Sequence, residues 1–175
     1  MKRSNLPILS GMLGLAAALL LVTPGCVGYK LGSNLPPGIT SINIPVFVNA
    51  ANEPGLETIL TGAAIQEFQK DGSLKVLPKD QADSILEVTV RKYQLEPLRY
   101  RRDQAVTAQE YRLTLTADVV LKKRSSNQVV AENKGVIGFT TFTALADLPS
   151  ARRLALPKAA TDLGQRIVKC VVEYW

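Results

Sequence analysis

The residue types that most often carry chemistry are sparse in this chain, and that narrows what it does. Histidine is absent from all 175 residues, which removes the commonest general base near neutral pH and the commonest metal ligand. No serine sits in a Gly-x-Ser-x-Gly elbow, and without histidine the usual catalytic triads cannot be assembled. No Cys-x-x-Cys pair or carboxylate cluster has metal-ligand spacing, and no glycine loop has the form that cradles phosphate. Asp80, Asp83 and Glu87 lie close in sequence, but they read as turn and strand-surface residues. The chain is therefore expected to be no enzyme and to hold no cofactor or metal.

Positive charge is the remaining signal. Arg91 and Lys92 stand on a predicted strand, Arg99, Arg101 and Arg102 follow Pro97 in the expected connection, and Lys122, Lys123 and Arg124 mark the next hairpin. Chain order puts the 99–102 and 122–124 groups at opposite ends of a sheet. The second group reads equally well as a solubilising turn. The first is interleaved with Tyr93, Leu98 and Tyr100. Guanidinium groups bind phosphate through paired N–H donors, and apolar neighbours suit acyl chains. Arg91, Arg99, Arg101 and Arg102 are thus candidate contacts for an amphiphilic anion such as a phosphorylated glycolipid. Lys and Arg outnumber Asp and Glu by only 21 to 15, a mild excess that does not point to nucleic acid.

The elements that would position these residues are legible from periodicity. After Gly28–Gly38, a spacer with the turn Pro36-Pro37-Gly38, residues 39–48 read as a strand. Ile42, Ile44 and Val46 fall on one face, Asn43 and Phe47 on the other. Pro45 has no N–H to give a ladder and predicts an edge or bulge there. Asn52, Glu53 and Pro54 open a helix with Leu56, Ile59, Leu60 and Ala63 on its buried stripe, and Asp71-Gly72 ends it. A short extended piece is read at 74–77. Strands follow at 84–95, 110–121 and 129–142. The middle one is cleanest: Tyr111, Leu113, Leu115, Ala117, Val119 and Leu121 face one way, Arg112, Thr114, Thr116 and Asp118 the other. From Leu148 the helical period returns through Leu156, Ala160, Leu163, Ile167, Val171 and Tyr174, with Pro157 expected to kink or delay it. The order β-α-β-β-β-α predicts an α/β two-layer sandwich: a four-stranded, mainly antiparallel or mixed sheet with two helices on one face.

Lys2 and Arg3 followed by apolar Leu13 to Val22 have the anatomy of a secretory signal, too short to span a bilayer comfortably. Ending in Gly25-Cys26, the segment resembles a bacterial lipoprotein signal, although Thr23-Pro24 departs from that family's usual leucine three residues before the cysteine. The resemblance implies cleavage after residue 25 and acylation of Cys26. Cys170 would then be a single buried thiol; spacing alone leaves a Cys26–Cys170 disulfide open. The expected organisation is a signal peptide at 1–25, a lipidated tether at 26–38 and a folded domain at 39–175.

Four further stretches carry a wider likeness: Cys26 with Gly28-Tyr29; Leu35-Pro36-Pro37-Gly38-Ile39 leading into Ile44-Pro45-Val46-Phe47; Glu53-Pro54-Gly55-Leu56-Glu57; and Glu110-Tyr111-Arg112-Leu113. Together they resemble the lipopolysaccharide-assembly lipoprotein family LptE. The resemblance implies a non-enzymatic outer-membrane lipoprotein on the periplasmic side. Such a protein plugs and assembles with an LptD-type β-barrel in a one-to-one complex and binds lipopolysaccharide in transit. Basic residues at strand ends are that family's proposed lipid contacts, with no aligned motif to select among Arg91, Arg99, Arg101 and Arg102. A curli-secretion component or an activator of peptidoglycan synthases, built on a similar small α/β domain, is the alternative.

Overall fold

The computed structural model describes residues 38–100, 108–144 and 147–173. The elements run β1 (Ser41–Asn43), β2 (Val48–Asn49), α1 (Leu56–Asp71), β3 (Lys75–Val76), β4 (Ser84–Tyr100), β5 (Ala108–Lys123), β6 (Val129–Thr143) and α2 (Leu148–Val172). They form one mixed sheet of six strands in the order β3-β1-β4-β5-β6, with β2 also paired to β4. The four-stranded expectation is corrected. The α/β character and the order of the long elements are as expected.

The extra strands come from the amino-terminal region. Its single predicted strand breaks into β1 and β2 around Pro45, which cannot donate to a ladder. The side-chain phase changes there: Ile42 and Ile44 are buried, Val46 is 67% exposed, and Phe47 turns inward. The Phe47 N–H is satisfied by Thr61 Oγ1 of α1 at 3.0 Å, and that hydroxyl donates in turn to the Glu57 carbonyl at 2.6 Å. β1 does not lie at an edge, because β3 pairs parallel beyond it. The extended piece at 74–77 is this β3.

Helix α1 starts at Leu56, later than the Asn52–Pro54 signal, because Gly55 takes a left-handed φ of 76° and holds the N-cap position. Its buried line is Leu56, Leu60, Ala64 and Phe68, and Ile59 is 40% exposed. Gly72 ends the helix at φ 72°, its N–H bonded to the Phe68 carbonyl, the left-handed stop that glycine tolerates. Helix α2 runs through Pro157 as one element from Leu148. Its buried residues include Ala155, Ala159, Ala160, Leu163, Ile167 and Val171. Leu156 is only partly buried, and Tyr174 lies outside the described residues.

Both helices pack on one face of the sheet. α2 lies against β6 and β5, and α1 packs beside α2. On β5 the inward set Leu113, Leu115, Ala117, Val119 and Leu121 is at most 2% exposed, as its strict alternation predicts. Gly138 of β6 faces Leu163 so closely that a Cβ there would sit 2.5 Å from the helix backbone. No described element covers the opposite face of β4–β6.

Candidate functional site: the open sheet face and the ends of the sheet

The long strands fix two separate ends. At one, Ser84 pairs with Lys123 and Ile42 with Ser84; at the other, Tyr100 pairs with Ala108. At roughly 3.3 Å per residue, the length of β4 separates these ends by about 50 Å. The expectation that the two basic groups occupy opposite ends is borne out for the described residues. Arg99, however, belongs to β4 itself rather than to a connection. Arg101, Arg102 and Cys26 lie outside the described residues.

Arg91 stands mid-strand and so lies about 25 Å from Arg99 along β4. A register shift between Val90 and Lys92 makes Arg91 the extra residue of a bulge, and bulges re-aim side chains. Its Nε meets Asp118 Oδ2 at 2.7 Å. Asp118 Oδ1 accepts the Gly135 N–H at 2.9 Å, where β5 and β6 are also out of register and Gly135 takes φ 70°. One carboxylate therefore staples two bulges. Arg91 and the Gly135 amide hold its pKa below the ordinary carboxylate value. Arg91 is thus spoken for within the fold, while Arg99 is 76% exposed in its side chain and makes a long 3.8 Å pair with Glu110.

The apolar residues near these arginines do not all share their surface. Tyr93 pairs with Leu115, an inward residue, and packs against the core. Arg152 of α2 lies over its ring at 5.8 Å. Burial pushes the Tyr93 hydroxyl pKa up. Tyr93 is therefore not a neighbour of Arg99 on a lipid-facing surface. Leu98 is exposed by 42% beside a register shift between Pro97 and Arg99. Toward the same end, Tyr111 and Phe142 stack at 5.8 Å.

The open face is cross-linked by charge and also carries apolar side chains, among them Val120, Ile137 at 48% exposure and Phe139. Lys122 pairs with Glu87 at 2.6 Å and Arg91 with Asp118, with Thr89 between Glu87 and Arg91 on β4 and Thr116 and Thr114 beyond Asp118 on β5. At the β6 edge, Phe139 is 39% exposed. Arg112 and Arg166 lie over its ring at 5.3 and 5.4 Å. Its backbone N–H donates to Asp162 Oδ2 at 2.8 Å, and the same oxygen takes Arg166 at 3.0 Å. This bracket was missed from sequence because Asp162 and Arg166 are far from Phe139 along the chain. The available signal was an aromatic residue facing out of a strand with a nearby Gly138. No group of carboxylates and cysteine able to hold a metal occurs among the described residues.

Comparison with known proteins then places the chain. The model of the lipopolysaccharide-assembly family LptE matches residues 39–169. The chain belongs to the LptE family. Solved structures share the fold at low identity. A protein from Xanthomonas campestris aligns at TM-score 0.56 and 14% identity, over 79% of this chain and 89% of its own. Lipoprotein B from Nitrosomonas europaea aligns at 0.53 and 13%, over 80% and 85%. A minor lipoprotein from Acinetobacter baumannii aligns at 0.51 and 11%, over 78% and 94%. No curated protein matches in sequence. LptE membership carries a lipopolysaccharide-assembly role in the cell envelope.

Proposed function

We propose that this LptE-family chain is an outer-membrane lipoprotein that plugs an LptD-type β-barrel and assists lipopolysaccharide delivery to the outer leaflet. The observation that carries the reading is the family match across 39–169. The surface chemistry is consistent with it. The Arg91–Asp118 and Lys122–Glu87 ion pairs on the open sheet face suit a polar barrel lumen, since charged groups are costly in lipid, and the apolar Ile137 and Phe139 beside them leave room for contact with a partner's wall. In this reading residues 1–25 are the signal peptide, Cys26 carries the lipid and 26–38 is the tether.

Arg99, with Arg101 and Arg102, forms the candidate lipopolysaccharide contact. Arg91 is the weaker candidate because Asp118 already holds it. The experiment is cross-linking in native membranes followed by purification of this chain. Recovery of a large barrel protein supports the reading, and recovery of a peptidoglycan synthase or a secretion ring without a barrel overturns it. Arg99, Arg101 and Arg102 changed together to Glu should weaken binding of phosphorylated glycolipid while leaving the circular dichroism spectrum unchanged. Binding equal to the parent's would remove these arginines from the site.

A further inference from the structure

Among the described residues, the exposed strand edges of the sheet carry their own protection, with one exception. An unpaired edge offers free N–H and C=O groups to a further strand, and proteins blunt such edges with shortness, charge or proline. β3, outermost on one side, is two residues long. β2 accompanies β4 only as far as Val90, and the bare stretch beyond carries Lys92, Glu96, Pro97 and Arg99. β6 is outermost on the other side. Its first half holds Glu132, Lys134 and the bulge at Gly135. Its second half, Val136 to Thr143, reads VIGFTTFT, with neither charge nor proline. That composition favours the addition of another strand.

The register fixes which groups of this stretch face outward. Val136 to Thr143 pair with β5 without a shift, and the Ala144 N–H donates to the Gln109 carbonyl at 3.0 Å. The even-numbered amides therefore bond across to β5, and those of Ile137, Phe139, Thr141 and Thr143 point away from the sheet. The Phe139 N–H is taken by Asp162 Oδ2 of α2 at 2.8 Å, and Arg166 Nε holds the same oxygen at 3.0 Å. Arg166 and Arg112 also stand over the Phe139 ring. A strand arriving at β6 has to break the Phe139–Asp162 bond and displace charged side chains from the middle of the stretch.

We infer that Val136 to Thr143 is the edge through which this chain pairs with a second copy of itself when unguarded, and that Asp162 and Arg166 of α2 are its guard. The helix supplies the charge that the strand lacks. The strand's own sequence singles out a second copy, because uncharged β-branched and aromatic stretches stack on their own kind without opposing like charges. Gly138 seats α2 tightly on β6. Antiparallel pairing of two folded copies would bring their α2 helices nearly as close as the strands, about 4.8 Å, where packed helices need about 8–10 Å. The incoming strand therefore comes from a copy whose α2 has lifted. This guard acts whichever partner meets the open face, and it keeps the chain single, as a one-to-one complex requires.

The test uses the full chain purified in mild detergent, with mass read by light scattering and strand stacking by thioflavin fluorescence. Asp162→Ala combined with Arg166→Ala should associate, its thioflavin signal rising several-fold above that of the native chain. Adding Thr141→Pro removes an outward amide at an edge position that tolerates proline, and it should return the signal to the native level. Association no faster than the native chain's, or association that Thr141→Pro leaves unchanged, overturns the proposal. Amide exchange on the native chain tests the guard without any substitution. After correction for intrinsic rates, Phe139 should exchange several-fold more slowly than Thr141, and equal rates would remove the guard.

Discussion

Gly138 has no space for a side chain, because its missing Cβ would lie 2.5 Å from the backbone of Leu163. Gly138→Ala must push α2 off β6, and overpacking of this kind costs about 1–3 kcal/mol. A urea titration should show a lower midpoint with an unchanged slope. The two stapling carboxylates act differently. Asp83 is held below its ordinary 3.8 first by the Ser41 hydroxyl and then by the Thr40 N–H, and Asp118 first by Arg91 and then by the Gly135 N–H. A group whose folded pKa is depressed stabilises the fold fully above its unfolded value and loses that contribution as pH falls through the folded one. Stability should therefore hold above about pH 5 and fall below pH 4. Asp83→Asn combined with Asp118→Asn should flatten that acid limb in denaturant midpoints measured against pH. Neither role could be read from sequence, where Asp83 and Asp118 were only surface carboxylates. Their partners arrive from residues 42 and 27 positions away.

Among the elements, the strict alternation of β5 translated directly into a buried face and an open face. Its neighbours were harder, because local backbone events override period. Pro45 splits one expected strand and reverses which side chain is buried, so Phe47 rather than Val46 enters the core. Gly55 delays α1 past its proline signal. Phe68, off the predicted stripe, is fully buried and Ile59 is not, since α1 meets α2 as well as the sheet edge. The joint between these elements is Thr61. Thr61→Val would remove the acceptor of the Phe47 N–H, and an unsatisfied buried donor costs about 1–3 kcal/mol. Hydrogen exchange should quicken at Phe47 and along β2 first. A change spread evenly over the sheet would contradict this local role.

For the whole molecule, the family was legible in the sequence because its short stretches keep their order along the chain. The separation of its basic residues was legible only in part. The two ends of the sheet could be assigned from chain order, but the Arg91 bulge and its distance from Arg99 needed the register. This LptE-family domain has an open sheet face and an exposed Arg99 at the end opposite the β1–β4 pairing of Ile42 with Ser84, an arrangement on which the proposed plug role draws. Cys26→Ser should shift the chain from the membrane to the soluble fraction when barrel levels are low, and persistence in the membrane fraction would contradict the proposed anchor. The central claim is tested most directly by purifying the acylated chain from its native membranes under mild detergent and measuring the mass and stoichiometry of what accompanies it. The account predicts one copy of a large β-barrel protein for each copy of this chain; a purified chain that is alone, or in a complex lacking any barrel, would contradict it.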